Sequence, residues 1–168
     1  MKNLPLNLAA IFILSIVLFS CSPKEDGVYF NDTAEIVNIS NVTYSSIESQ
    51  ILDLINEHRN SIGLNTLTKL DQISGVADGH TNYMIEKGEL NHDNFSLRSQ
   101  NLMDNAGAKS IGENVAYGFN SAEGVVRGWL NSPEHKAIIE NSGYTHFGIS
   151  TDANQEQRNY FTQIFIKK

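Results

Sequence analysis

The chain has 168 residues, with 19 Asp and Glu against 12 Lys and Arg, a formal charge of −7 and a single cysteine. That length fits one domain with a sizeable core, and 40% hydrophobic with 18% charged residues is an ordinary globular composition. One cysteine excludes an internal disulfide and any paired-cysteine zinc motif. The acidic balance predicts no nucleic-acid partner, because neutralising phosphates needs clustered Lys and Arg.

The N-terminal segment carries one base, Lys2, and then Leu8–Phe19 runs twelve residues with only Ser15 polar. About 20 apolar residues are needed to cross a bilayer, so this run fits the apolar region of a secretory signal peptide over residues 1–20. It ends in Leu18-Phe19-Ser20-Cys21, which resembles the lipobox of bacterial lipoproteins. The resemblance implies cleavage before Cys21, a diacylglycerol thioether on its sulfur, and a membrane as partner through that lipid; a buried thiol is the alternative. Ser22, where some lipoproteins carry Asp, resembles the outer-membrane-sorted class, and Lys24-Glu25-Asp26 resembles a cell-surface export tag. A plain solvated charged stretch is the alternative there. The expected location is therefore the cell envelope, lipid-anchored at the outer membrane, with the leaflet left open. Cleavage removes Lys2 and no acid, which makes the mature chain more acidic still.

Residues 21–45 read as the lipidated cysteine and a polar tether, with at most a short strand around Ile36–Ile39. Extended, some 24 residues could reach about 80 Å. Two N-glycosylation sequons, at Asn38 and Asn41, carry no meaning in a bacterial lipoprotein. The domain is expected over 46–168. Ser45-x-x-Glu48 is a capping-box pattern, and Ile47, Ile51, Leu54, Ile55, His58 and Ile62 share one helical face before Gly63. A second helix is predicted over 71–87, with His80 in its apolar stripe and Gly88 ending it. A shorter one is predicted over 96–105, and another from Ser121 to Asn131. Ser132-Pro133-Glu134-His135 opens one more, with Ser as N-cap and Pro in the first position. His146–Thr151 and Asn159–Ile166 read as paired strands about a polar turn. Helices before paired strands predict an antiparallel α+β fold.

No nucleophile elbow, phosphate loop, dinucleotide fingerprint or HExxH pair is present. What remains is five histidines and scattered carboxylates. His58 reads most simply as a helix-face residue, and His146 as the start of a strand. His80 reads equally as a hydrogen-bonded core residue or a functional one. His92 follows the second helix, where loops present groups to ligands. His135 stands in a first helical turn, where the dipole favours a neutral ring able to bind metal. Glu113 is set between a glycine and an apolar segment. Spacing alone does not unite His80, His92, Glu113 and His135.

A family resemblance does. Ile55-Asn56-Glu57-His58-Arg59 with Gly63-Leu64, Ala77-x-x-His80-x-x-x-Met84, and His92 resemble the CAP superfamily in order and spacing. So do Gly112-Glu113-Asn114-Val115-Ala116-Tyr117-Gly118, Val126-x-x-Trp129-Leu130-Asn131-Ser132-Pro133-x-His135, Phe147-Gly148-Ile149 and Tyr160–Phe165. That superfamily comprises cysteine-rich secretory proteins, antigen 5 and pathogenesis-related 1, and the bacterial branch is the closest. The resemblance implies a three-layer α-β-α sandwich with a central antiparallel sheet and a cleft. It also implies a cleft lined by His80, His92, Glu113, His135 and Ser132. Eukaryotic members line the cleft with two His and two Glu that can hold zinc; carried over, these fall on His92, His135, Glu113 and Ser132. Serine in place of the second Glu departs from the tetrad.

His92, His135 and Glu113 still have the ligand types of a two-His-one-carboxylate zinc centre with a place open to water. A metal there would polarise a carbonyl or activate that water, with Glu113 or His80 as candidate catalytic groups. Three functions follow as expectations: a tethered module binding an extracellular peptide, lipid or glycan, a metal-assisted hydrolase of extracellular peptide or envelope polymer, and a structural or adhesive surface protein.

Overall fold

The computed structural model describes residues 42–168. The predicted signal peptide, Cys21, the strand expected around Ile36–Ile39 and most of the tether lie outside the described residues.

α1 spans Ser46–Ser61 and starts on the predicted capping box. The Ser45 hydroxyl oxygen accepts from Glu48 N at 3.3 Å, and Glu48 Oε2 accepts from Ser45 N at 2.8 Å. The apolar face of α1 buries Ile51, Leu52 and Ile55. Ahead of the helix, at positions the sequence assigns to the tether, Val42 N and the Tyr44 hydroxyl both donate to the Asp71 carboxylate. β1 follows as two residues, Thr68–Lys69.

α2 spans Asp71–Lys87 as predicted, and Gly88 closes it in the left-handed region at φ 69°, where a side chain is strained. α3 spans Phe95–Ala106, one residue longer at each end than predicted. Then comes β2, Ser110–Tyr117, a strand the sequence does not announce. Its centre reads Gly-Glu-Asn, with two polar residues side by side, so the alternation that marks a half-buried strand is absent. Helices cover both of its faces, and both Glu113 and Asn114 are buried.

α4 spans Ala122–Asn131 behind the Ser121 cap, and α5 spans Pro133–Ile139. Ser132 occupies the N-cap position of α5, but its hydroxyl caps nothing. β3 (His146–Ala153) and β4 (Asn159–Lys167) form the expected hairpin. The sheet order is β1-β3-β4-β2. The three long strands pair antiparallel, as the α+β reading requires, and β1 adds a short parallel edge on β3.

Period-2 alternation splits the strands between two cores. One face sets Phe147, Ile149, Phe161 and Phe165 against α1, α4 and α5, with Trp129 at its centre. The other sets Ile164 and Ile166 against Ile73 and Ala77 of α2 and Leu102 and Ala106 of α3. The result is helix, sheet, helix: a three-layer sandwich. Gly148 lets α2 approach β3, since a Cβ there would lie 2.5 Å from Ser74 N. Among the described residues, no helix is long and apolar enough to cross a membrane.

Candidate functional site

β2 is an edge strand, and its Glu113 side chain points into the layer that α2 and α3 form. There it is 1% exposed and meets three partners. His92, in the loop between α2 and α3, contributes Nδ1 at 2.8 Å from Oε1. Arg98, in the first turns of α3, grips the carboxylate side-on, with Nε 2.8 Å from Oε2 and Nη2 2.7 Å from Oε1. His80 of α2 places Nε2 3.9 Å from Oε1, while donating from that nitrogen to the Asn91 carbonyl at 2.9 Å.

The electrostatics follow from this packing. Burial pushes the Glu113 carboxyl up, but the His92 and Arg98 hydrogen bonds and the Arg98 charge outweigh it and hold the carboxyl below its usual range. Burial likewise keeps His80 neutral, lowering its pKa against the pull of the Asn91 carbonyl. A carboxylate can only accept, so His92 carries its proton on Nδ1. That leaves Nε2 on the solvent side of a ring that is 49% exposed. A buried carboxylate that fixes an imidazole tautomer in this way turns the outer nitrogen into a hydrogen-bond acceptor or base.

A cavity of about 330 Å³ opens beside this cluster at the β2 edge. His92 and Glu113 form its polar end, and Phe95, Ile111, Ile138 and Tyr144 its apolar walls. Gly112 is part of that wall for a steric reason: a Cβ would collide with the Tyr144 hydroxyl and lie 3.1 Å from Ile138 Cγ2.

The structure thus brings His80, His92 and Glu113 together. His135 shares no side-chain hydrogen bond with them. Its pKa is lowered, chiefly by burial and then by the nearby His92 ring, and its carbonyl accepts from Asn114 Nδ2 at 3.2 Å. Ser132 contributes no hydroxyl bond to its helix and lies off the cavity wall. His58 and His146 have partners outside the cluster: Glu140, 82 residues on, at 2.9 Å and the adjacent Thr145 at 2.8 Å. Arg98 is the residue of this cluster that the sequence reading did not single out. Its one signal was position: only Arg98 and Lys109 are basic between Gly88 and Tyr117.

A three-layer sandwich with a His/Glu cluster at the mouth of an edge-strand cleft is the architecture of CAP domains. The chain belongs to that family: the cysteine-rich secretory protein family model, CAP, matches residues 52–165. The chain is 37% identical over 124 residues to YlbC, an uncharacterized membrane protein of Bacillus subtilis (strain 168), with the match covering 72% of this chain and 34% of that protein. The chain therefore spans about a third of that relative's length. Among solved structures, an outer surface protein from Borrelia burgdorferi superposes with a TM-score of 0.65 at 24% identity, over 71% of this chain and 91% of its own. An extracellular protein containing an SCP domain from Bacillus anthracis gives 0.63 at 26% identity, over 76% and 45%.

The zinc ligands that the family resemblance implies can be set against this geometry. Among the described residues no three His, Cys, Asp or Glu side chains are grouped so as to hold a metal ion. Glu113 already spends Oε1 on two donors and Oε2 on a third. A zinc ion on His92, His135 and Glu113 would compete with Arg98 for the carboxylate and lie beside its charge.

Proposed function

We propose that this chain is a lipid-anchored, extracytoplasmic CAP module whose cleft binds a ligand carrying an apolar group next to a hydrogen-bonding one. The carrying observation is the pairing of an apolar cavity with one oriented, half-exposed imidazole. Phe95, Ile111, Ile138 and Tyr144 would take the apolar group, and His92 Nε2 would meet the polar one. Peptides, lipids and glycans of the envelope all offer such a pairing. A membrane protein and an extracellular protein among the relatives support the location, and the Leu18–Cys21 motif supports the anchor.

The test is a binding screen of the detergent-purified chain against peptides, murein fragments and lipids. A true cleft ligand loses affinity in Ile138→Trp, which fills the cavity, and in His92→Ala. Binding that survives both changes rules the cleft out. Hydrolysis is the second reading, favoured by the Glu113–His92 pair, in which a buried carboxylate orients a ring nitrogen as a base. Turnover of any bound ligand that vanishes in Glu113→Gln would establish it, and binding without turnover would leave the module. For the anchor, Cys21→Ser should shift the protein from membrane to soluble fractions; continued membrane association refutes lipidation at Cys21.

A further inference from the structure

We infer that Arg98 is the resident cation of this cleft: its guanidinium fills the place beside Glu113 that a divalent metal would need, and it keeps the His and Glu side chains in a metal-free cluster. Three features of the geometry carry this. The first is the carboxylate itself. Arg98 holds both Glu113 oxygens at 2.8 and 2.7 Å, and it is only 10% exposed. A planar fork matched to a carboxylate is a fixed partner, unlike a flexible lysine that could swing away. Arg98 is further anchored by its Nη1, which donates to the Asp93 carbonyl.

The second feature is the imidazoles. The His92 nitrogen nearest Glu113 donates to a carboxylate at 2.8 Å, and the His80 nitrogen nearest Glu113 donates to a backbone carbonyl at 2.9 Å. Both partners only accept, so both nitrogens carry protons, and a protonated nitrogen cannot ligate a metal. The third feature is charge. One guanidinium neutralises one buried carboxylate, and a divalent ion added next to it would meet an unscreened like charge in a water-poor layer. Take Arg98 away and the balance reverses. Glu113 is then an uncompensated buried anion, with His92 Nδ1 2.8 Å and His80 Nε2 3.9 Å from the same oxygen. Ligand atoms of a tetrahedral zinc with bonds of ~2.0–2.1 Å sit roughly 3.3 Å apart, so those two spacings straddle the required one. Arg98 holds this place whichever ligand the cleft takes.

The experiment uses the full-length chain in detergent, equilibrated with excess zinc, desalted and assayed for bound metal. Wild type should retain far less than one zinc per chain at this cluster. Arg98→Met should bind zinc at least about tenfold more tightly, with the gain abolished by adding His92→Ala. Arg98→Lys, which keeps the cation, should bind as poorly as wild type. Stoichiometric zinc in the wild type that disappears in His92→Ala overturns the inference, as does an Arg98→Met protein that melts cooperatively and gains no zinc. Nitrogen-15 spectra of the wild-type histidine rings give a readout independent of any variant's folding. The expected spectrum shows His92 protonated at Nδ1 and His80 at Nε2, with both protons retained in zinc. Zinc-dependent loss of either proton would refute the assignment.

Discussion

Arg59 and Gly112 show how single residues support the cleft, one from outside it and one from its wall. Arg59 is wholly buried and has only carbonyl oxygens for partners: Asn65 O at 2.9 Å, Ile139 O at 2.6 Å, Asn141 O at 3.0 Å and Asn65 Oδ1 at 3.2 Å. Two of these lie at the C-terminal end of α5, where a cation complements the helix dipole. Arg59→Ala should therefore cost ~3 kcal/mol or more, through the lost volume and the carbonyls left unpartnered. Arg59→Lys should recover little, because an ammonium cannot span the same acceptors. Urea denaturation of the three proteins checks this, and a near-wild-type Arg59→Lys would contradict it. Gly112→Ala should cost about 1–3 kcal/mol by overpacking against Tyr144 and should narrow the cleft. Tyr144→Phe, which removes the colliding oxygen, should restore part of that loss in the double variant; full additivity of the two losses would speak against the contact.

At the scale of elements, the joints matter more than the helices. Glu48 is shared between two of them. Its Oε2 closes the α1 capping box, and its Oε1 accepts from Thr151 N of β3 at 2.7 Å. Ser45→Ala removes one cap acceptor and should cost ~1 kcal/mol. Glu48→Ala should cost more, since it strands a sheet N–H as well as the helix start. The double variant should lose less than the sum, because the two residues share bonds. Equal losses for the two single variants would mean that the β3 contact contributes nothing. β2 shows why element type outran the sequence signal here. It is buried on both sides and lost its alternation, whereas α5 begins at Pro133 as predicted, though the Ser132 hydroxyl supplies no cap.

For the molecule as a whole, pH sets both edges of stability. Burial lowers the pKa of His80, His135 and His146 from the ordinary 6.5. The unfolded chain then takes up protons first as pH falls below 6.5, and stability drops on the acid side. Glu113, held below 4.5, adds to that drop at lower pH: its contribution is present above the unfolded pKa and is lost as pH falls through the folded one. On the alkaline side, burial pushes Tyr44 from 10.0 to about 12. Its stabilisation is full below pH 10 and is lost as pH rises towards 12. Thermal melts across pH should show a plateau between about 7 and 10 with falls on both sides. Tyr44→Phe should flatten the alkaline fall, and melting temperatures that climb between pH 6.5 and 5 would contradict the histidine account.

Local physics made much of this chain legible before any fold was known. α2 ends at Gly88 because only a glycine turns there without strain, and α1 begins at Ser45 because its capping box is complete within four residues. The β3–β4 hairpin shows in its β-branched and aromatic runs. His80, His92 and Glu113 were singled out as residue types, and the family resemblance placed them in one cleft. What no local pattern held was the partner of Glu113. Arg98 lies 15 residues away in sequence and meets it only because α3 packs beside β2, and an arginine in a helix's first turns otherwise reads as a solvated charge. The length, the acidity and the lone cysteine were properties of the chain alone. Which cation answers the buried carboxylate depends on three-dimensional distance, and only the tertiary structure supplied that.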